Sequence, residues 1–129
     1  MNAQESSYVE HRSSLGFAET VDHLVTTIEK VGMTVFARID HAAGAKAVGI
    51  TMPPAIVLIY GNAKGGTPVM QAAPRAALDL PLRVLIREDD QGKTLIGFHP
   101  IAQLLETYRV PGELVDRLAK AQLLLVGSI

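Results

Sequence analysis

The chain has 129 residues, 48% of them hydrophobic, with 12 basic against 13 acidic side chains and a net charge of −1. That length and apolar content predict a single domain, residues 1–129, burying roughly two thirds of its unfolded surface. The absence of cysteine excludes disulfides, thiolate metal sites and cysteine nucleophiles, and the near-neutral charge argues against a nucleic-acid partner, which needs a basic surplus.

Met1 to Ser14 is polar and lacks the pattern of a signal peptide. No run approaches the ~18 apolar residues of a membrane span, so a cytoplasmic location and no membrane partner are expected. A first strand is placed over Ser7 to Ser13. Gly16 to Val31 reads as a helix, because Phe17, Val21, Leu24, Val25, Ile28 and Val31 recur at three- and four-residue steps. Met33 to Ile39 alternates and predicts a strand with Met33, Val35, Ala37 and Ile39 on the core. Asp40 is placed as the cap of a short helical turn from His41 to Val48.

The apolar run Ala55 to Tyr60 reads as a strand in the interior of its sheet, covered on both faces. A glycine-rich connection, Gly61 to Met70, is expected to turn sharply there and leave backbone N–H groups accessible. Leu82 to Glu88 and Thr94 to Phe98 read as strands joined by a hairpin turn over Asp89 to Lys93. Pro100 and Pro111 at first helical positions start helices over Ile101 to Tyr108 and Glu113 to Val126. Helices at the ends and strands in the middle predict an α+β fold with a single-layer, mostly antiparallel sheet of about five strands and helices on one face.

The motifs are sparse. Gly61 to Thr67 is not a Walker A loop, since Gly66 is followed by Thr67 and Pro68 instead of lysine and a hydroxyl residue. His41 is the ionisable residue of most interest, beside Asp40 at a strand-to-helix junction. It reads either as a ligand contact or proton carrier, or as a structural capping residue. Met70 with His41 forms a candidate soft site for copper or haem, weighed against methionine as core filler. No closely spaced His/Glu pattern marks a metal site, and no cofactor is assigned.

Four ordered blocks carry a family resemblance: Phe17 to Val21, Val35 to His41, Gly61-Asn62 with Gly66 to Met70, and Leu78 to Leu82. Together they resemble the bacterial family called domain of unknown function 302, over about residues 8 to 108. The family often has proline after Gly-Asn, where Ala63 stands here, which implies a looser loop. The resemblance implies a family-like core over 6–108, with the C-terminal helix, 111–127, lying beyond it, and an outline similar to the TATA-binding-protein-like arrangement; it does not imply DNA binding. If the signature positions mark a site, it falls on His41, Gly61, Asn62, Gly66, Thr67, Pro68 and Met70.

These readings converge on a binding module without catalysis. Its expected ligand is small and polar or anionic, held in a cleft between Asp40-His41 and the Gly61, Asn62, Gly66, Thr67 and Met70 loop. The alternative is an enzyme with His41 as general base, polarised by Asp40 or Asp79. The apolar run Leu123 to Val126 spreads beyond one helix face and predicts a homodimer contact.

Overall fold

The computed structural model describes residues 8–129, and Ser7, the expected start of the first strand, lies outside them. The elements in order are β1 (Val9–Arg12), α1 (Phe17–Lys30), β2 (Thr34–Asp40), α2 (His41–Ala47), β3 (Ala55–Gly61) and α3 (Ala63–Ala72), then a 3-10 turn (Pro74–Asp79), β4 (Leu82–Glu88), β5 (Thr94–Phe98), α4 (Ile101–Leu104), a second 3-10 turn (Glu106–Tyr108) and α5 (Gly112–Gly127). The strands form one five-stranded sheet in the order β1-β5-β4-β3-β2, and every neighbouring pair is antiparallel. The fold is the expected α+β sheet with helices.

One face of the sheet is covered. Val21, Leu24 and Ile28 of α1, Val69 of α3, and Leu118 and Leu125 of α5 share one apolar cluster with Ile56, Leu58, Tyr60, Val84, Ile86 and Ile96 from the strands. Burial along β3 alternates strictly, with Ile56, Leu58 and Tyr60 buried and Val57 and Ile59 half-buried. The expectation that both faces of β3 are covered is therefore corrected. Two-sided hydrophobicity here reflects an apolar open face, not a second layer. On that face Glu10, Gly97, Leu85, Val57 and Ile39 form one row across all five strands. Tyr8 lies over Gly97, where a Cβ would collide with its ring. Its phenol donates a 2.7 Å bond to Glu10 Oε2, which also accepts from Arg87 Nε at 2.7 Å.

The alternation predicted for β2 fails midway. Val35 pairs with Tyr60 on the core side, but a bulge between Val35 and Ala37 puts Ala37 opposite Ile59 and Ile39 opposite Val57, both on the open face. One inserted residue reverses every side chain after it. The inserted residue is Phe36, which is 55% exposed.

The stretch expected to be a glycine loop is a helix. Asn62 caps α3, its Oδ1 accepting from Gly65 N at 2.7 Å, while its carbonyl accepts from Gly66 N at 3.0 Å. Pro68 inside α3 removes the amide that would reach the Lys64 carbonyl, so propensity opposes this helix. Packing sustains it: Val69 is fully buried, and the missing Cβ of Gly65 lets Leu118 close on its backbone. At the other end of the chain, Gln122 of α5 is buried. Its Oε1 accepts from Ile101 N at 2.9 Å and its Nε2 donates to the His99 carbonyl at 3.0 Å, tying α5 to the start of α4.

Candidate functional site

β3 delivers its last two residues, Tyr60 and Gly61, to the start of α3. The turn there forms a hollow of about 240 Å³, lined by Gly61, Asn62, Gly66, Thr67 and Met70 together with Phe36, Tyr60, Leu80, Pro81 and Leu118. Five of the seven candidate positions thus meet in one place. The bulge at Phe36 supplies one wall, its ring passing close to Gly61.

Tyr60 is the residue the sequence reading passed over. Its side chain is 1% exposed, yet its hydroxyl has no hydrogen-bond partner among the described residues. No fully buried polar side-chain atom is left unsatisfied among those residues, so this hydroxyl retains accessible space, and the hollow that Tyr60 lines provides it. Burial pushes the phenol pKa up from its ordinary value, and at physiological pH the group is a neutral donor as any tyrosine is. The available signal was its phase in the strand: with Ile56 and Leu58 on the covered face, a phenol two residues on carries a polar tip into the core side.

A second groove, of about 470 Å³, runs between the end of α1, the start of α3 and α5, and shares Gly61, Asn62, Leu82 and Leu118 with the first. Lys64, Arg117 and Lys120 also line it.

Asp40 and His41 do not join this site. Asp40 pairs with Ile56 at one end of β3, while Thr34 pairs with Gly61 at the other. Five residue steps of strand separate Ile56 from Gly61, about 17 Å at the usual rise. The expected shared cleft is not formed. Asp40 caps α2 as expected, Oδ1 accepting from Ala43 N at 2.9 Å. His41 is exposed and borders a hollow on the open sheet face with Tyr8, Ile39, Arg83 and His99. Asp79 instead accepts a 2.7 Å bond from the Tyr108 hydroxyl, which raises the pKa of that phenol. No carboxylate hydrogen-bonds His41 among the described residues. Met70 and His41 line different hollows, so the soft His/Met pair is not assembled either. No group of three His, Asp or Glu residues suited to a metal occurs among the described residues.

With this geometry in place, the comparisons with known proteins decide the family. Residues 9–123 match the domain of unknown function DUF302. The chain belongs to the DUF302 family. A crystal structure of an uncharacterised conserved DUF302 protein from Bacillus stearothermophilus superposes with a TM-score of 0.86 at 17% identity, covering 95% of this chain and 98% of that one. At that identity the likeness shows the DUF302 fold alone.

Curated relatives are more similar in sequence. A protein of Brucella suis named fluoride-specific ion channel FluC 1 is 37% identical over 121 residues, 94% of this chain and 46% of the relative. A Brucella abortus protein with the same name is also 37% identical, with 44% of its length covered. The DUF302 chain therefore spans less than half the length of these relatives. Among its described residues no helix is long and apolar enough to cross a membrane.

Proposed function

We propose that this DUF302 protein is a ligand-binding module without catalysis, and that its site is the hollow between Phe36, Tyr60 and the start of α3. The observation that carries the reading is the Tyr60 hydroxyl, a donor inside the fold with no partner among the described residues. The hydroxyl is not sealed off: it opens on the hollow it lines, where a ligand oxygen can take the place of water. A polar group set in a mostly apolar hollow is the usual make-up of a small-molecule site. The surrounding walls are mostly apolar, while Asn62 and Thr67 add polar groups at the rim. The ligand is therefore a small molecule with an apolar body and an oxygen acceptor. Asp40 and Asp79 are engaged elsewhere, which supports binding over general-base chemistry at His41.

The test is an NMR titration of the labelled protein with octan-1-ol as a probe. Shift changes confined to Gly61, Gly66, Thr67 and Met70, and weakened several-fold in Tyr60→Phe, are expected. Changes scattered over the surface, or equal binding by the variant, would refute the assignment. Self-association is part of the proposal. Leu123, 63% exposed, and the exposed Leu124 on α5 offer the apolar contact, and a monomer in sedimentation velocity at high concentration removes it.

A second reading comes from the Brucella relatives. A channel must satisfy its backbone inside the bilayer, and the half of those proteins that resembles this chain has a counterpart here with no spanning helix. In this reading the DUF302 unit is an attached accessory to fluoride transport and not its conducting part. Vesicles reconstituted with this chain alone should show no fluoride flux at a fluoride electrode; measurable flux overturns the reading.

A further inference from the structure

We infer that the ligand of this site is an amphipathic anion, with its acidic head at the Gly61-Asn62 turn where the two hollows join and its apolar body against the mostly apolar walls. The head accepts from the Tyr60 hydroxyl on one side and faces Lys64, Arg117 and Lys120 on the other. The inference rests on the binding reading above and adds the charge of the ligand.

Three observations carry it. The twelve residues lining the larger groove include those three cations and no carboxylate, in a chain whose total charge is −1. None of the three makes an ion pair among the described residues, where Arg87–Glu10 is the sole salt bridge. Arg117 and Lys120 stand three apart on α5, and Ala121 and Leu124 continue the same face into the groove. The helix therefore presents a cationic edge beside an apolar strip.

The start of α3 points the same way. Its cap satisfies the amides of Gly65 and Gly66, but Ala63 and Lys64 precede any intrahelical carbonyl their amides could reach. Those amides and the helix dipole favour negative charge at this end. The unpartnered Tyr60 hydroxyl, reached through the adjoining hollow, is independent of that helix terminus and places a ligand there. The two hollows share the Gly61-Asn62 turn and the Leu82 and Leu118 side chains, so one molecule can occupy both. A carboxylate or phosphate monoester on a chain of several carbons has this chemistry, whether it arrives free or as part of a lipid.

The experiment compares octyl phosphate, octanoate, octan-1-ol, inorganic phosphate and phosphatidic acid vesicles, using the full chain in calorimetry and NMR. Octyl phosphate and octanoate are expected to bind about tenfold or more tighter than octan-1-ol, a difference of about 1.4 kcal/mol. Raising the salt concentration should narrow the gap. Lys64→Gln, Arg117→Gln and Lys120→Gln should each weaken the anions severalfold and leave octan-1-ol unchanged. These positions are exposed, so the variants fold. Equal binding of octan-1-ol and the anions overturns the inference and leaves the binding reading standing. No binding by any octyl probe overturns both. Inorganic phosphate binding as tightly as octyl phosphate removes the apolar body, and binding to vesicles without binding to monomeric octyl phosphate replaces the pocket with surface attachment; either result overturns the inference.

Discussion

Replacing Tyr60 by phenylalanine separates a functional hydroxyl from a structural one. The residue is 1% exposed, with Val35 and Leu82 as its cross-strand neighbours, and phenylalanine keeps those contacts while leaving the hollow open. A buried phenol with a hydrogen bond would lose about 1–2 kcal/mol on truncation, because the bond goes and its partner is stranded. Here no partner exists among the described residues, so nothing is stranded. An unpaired buried donor costs about 1–3 kcal/mol. Accessible space in the hollow relieves part of that, and the expected result is a stability change between about zero and a gain of 1 kcal/mol. For a chain of this size each kcal/mol corresponds to about 3–5 °C in Tm. Urea unfolding monitored by circular dichroism gives the value directly. A loss above about 1 kcal/mol would show that the hydroxyl holds the fold together, and the site assignment would go with it.

Gln122→Leu should cost about 2–3 kcal/mol, since it strands the amide of Ile101, a residue only 1% exposed, and opens the His99 carbonyl; a urea midpoint equal to wild type refutes the bridge. Gly66→Ala places a Cβ 3.9 Å from Met70 Cε, an ordinary contact. It should stabilise α3 by about 0.5–1 kcal/mol while narrowing the hollow and weakening octan-1-ol. Weaker thermal stability, or unchanged binding, counts against the geometry. All three tyrosines titrate above their usual 10: Tyr8 is pushed up to about 12 by burial and its bond to Glu10, Tyr60 rises through burial, and Tyr108 through its bond to Asp79 and burial. Folded protein at pH 10 should therefore show far less than half its phenolate absorbance. Raised folded pKa values mean that the folded state binds more protons than the unfolded in this range. Their stabilisation is complete below pH 10 and is lost as pH climbs toward 12. Half-ionisation at pH 10 without unfolding refutes these contacts.

Local signals carried much of the fold. The three- and four-residue steps of α1 placed that helix to within a residue at each end, and the strands Leu82–Glu88 and Thr94–Phe98 matched their predicted bounds. The cap at Asp40 was also legible, because an aspartate before a helical turn satisfies amides three residues on. Where long-range packing overrides local preference, the sequence misled. Gly65, Gly66 and Pro68 read as a loop, although Asn62 three residues before Gly65 is a capping signal. The helix forms because Val69 is buried and Leu118 presses on its backbone. Tyr60 reads only as the end of an apolar strand and Gln122 carries no motif, since nothing local marks a polar group whose partners, or lack of them, lie far along the chain.

Composition and periodicity by themselves determined that the chain forms an antiparallel sheet with amphipathic helices, because both depend on which neighbours along the chain share a face. Only tertiary structure decided where ligands can go. The Phe36 bulge reversed half of β2, and the antiparallel β2–β3 pairing set His41 and Gly61 at opposite ends. A periodic pattern fixes which way a side chain points relative to its neighbours, but the register between strands fixes what it meets.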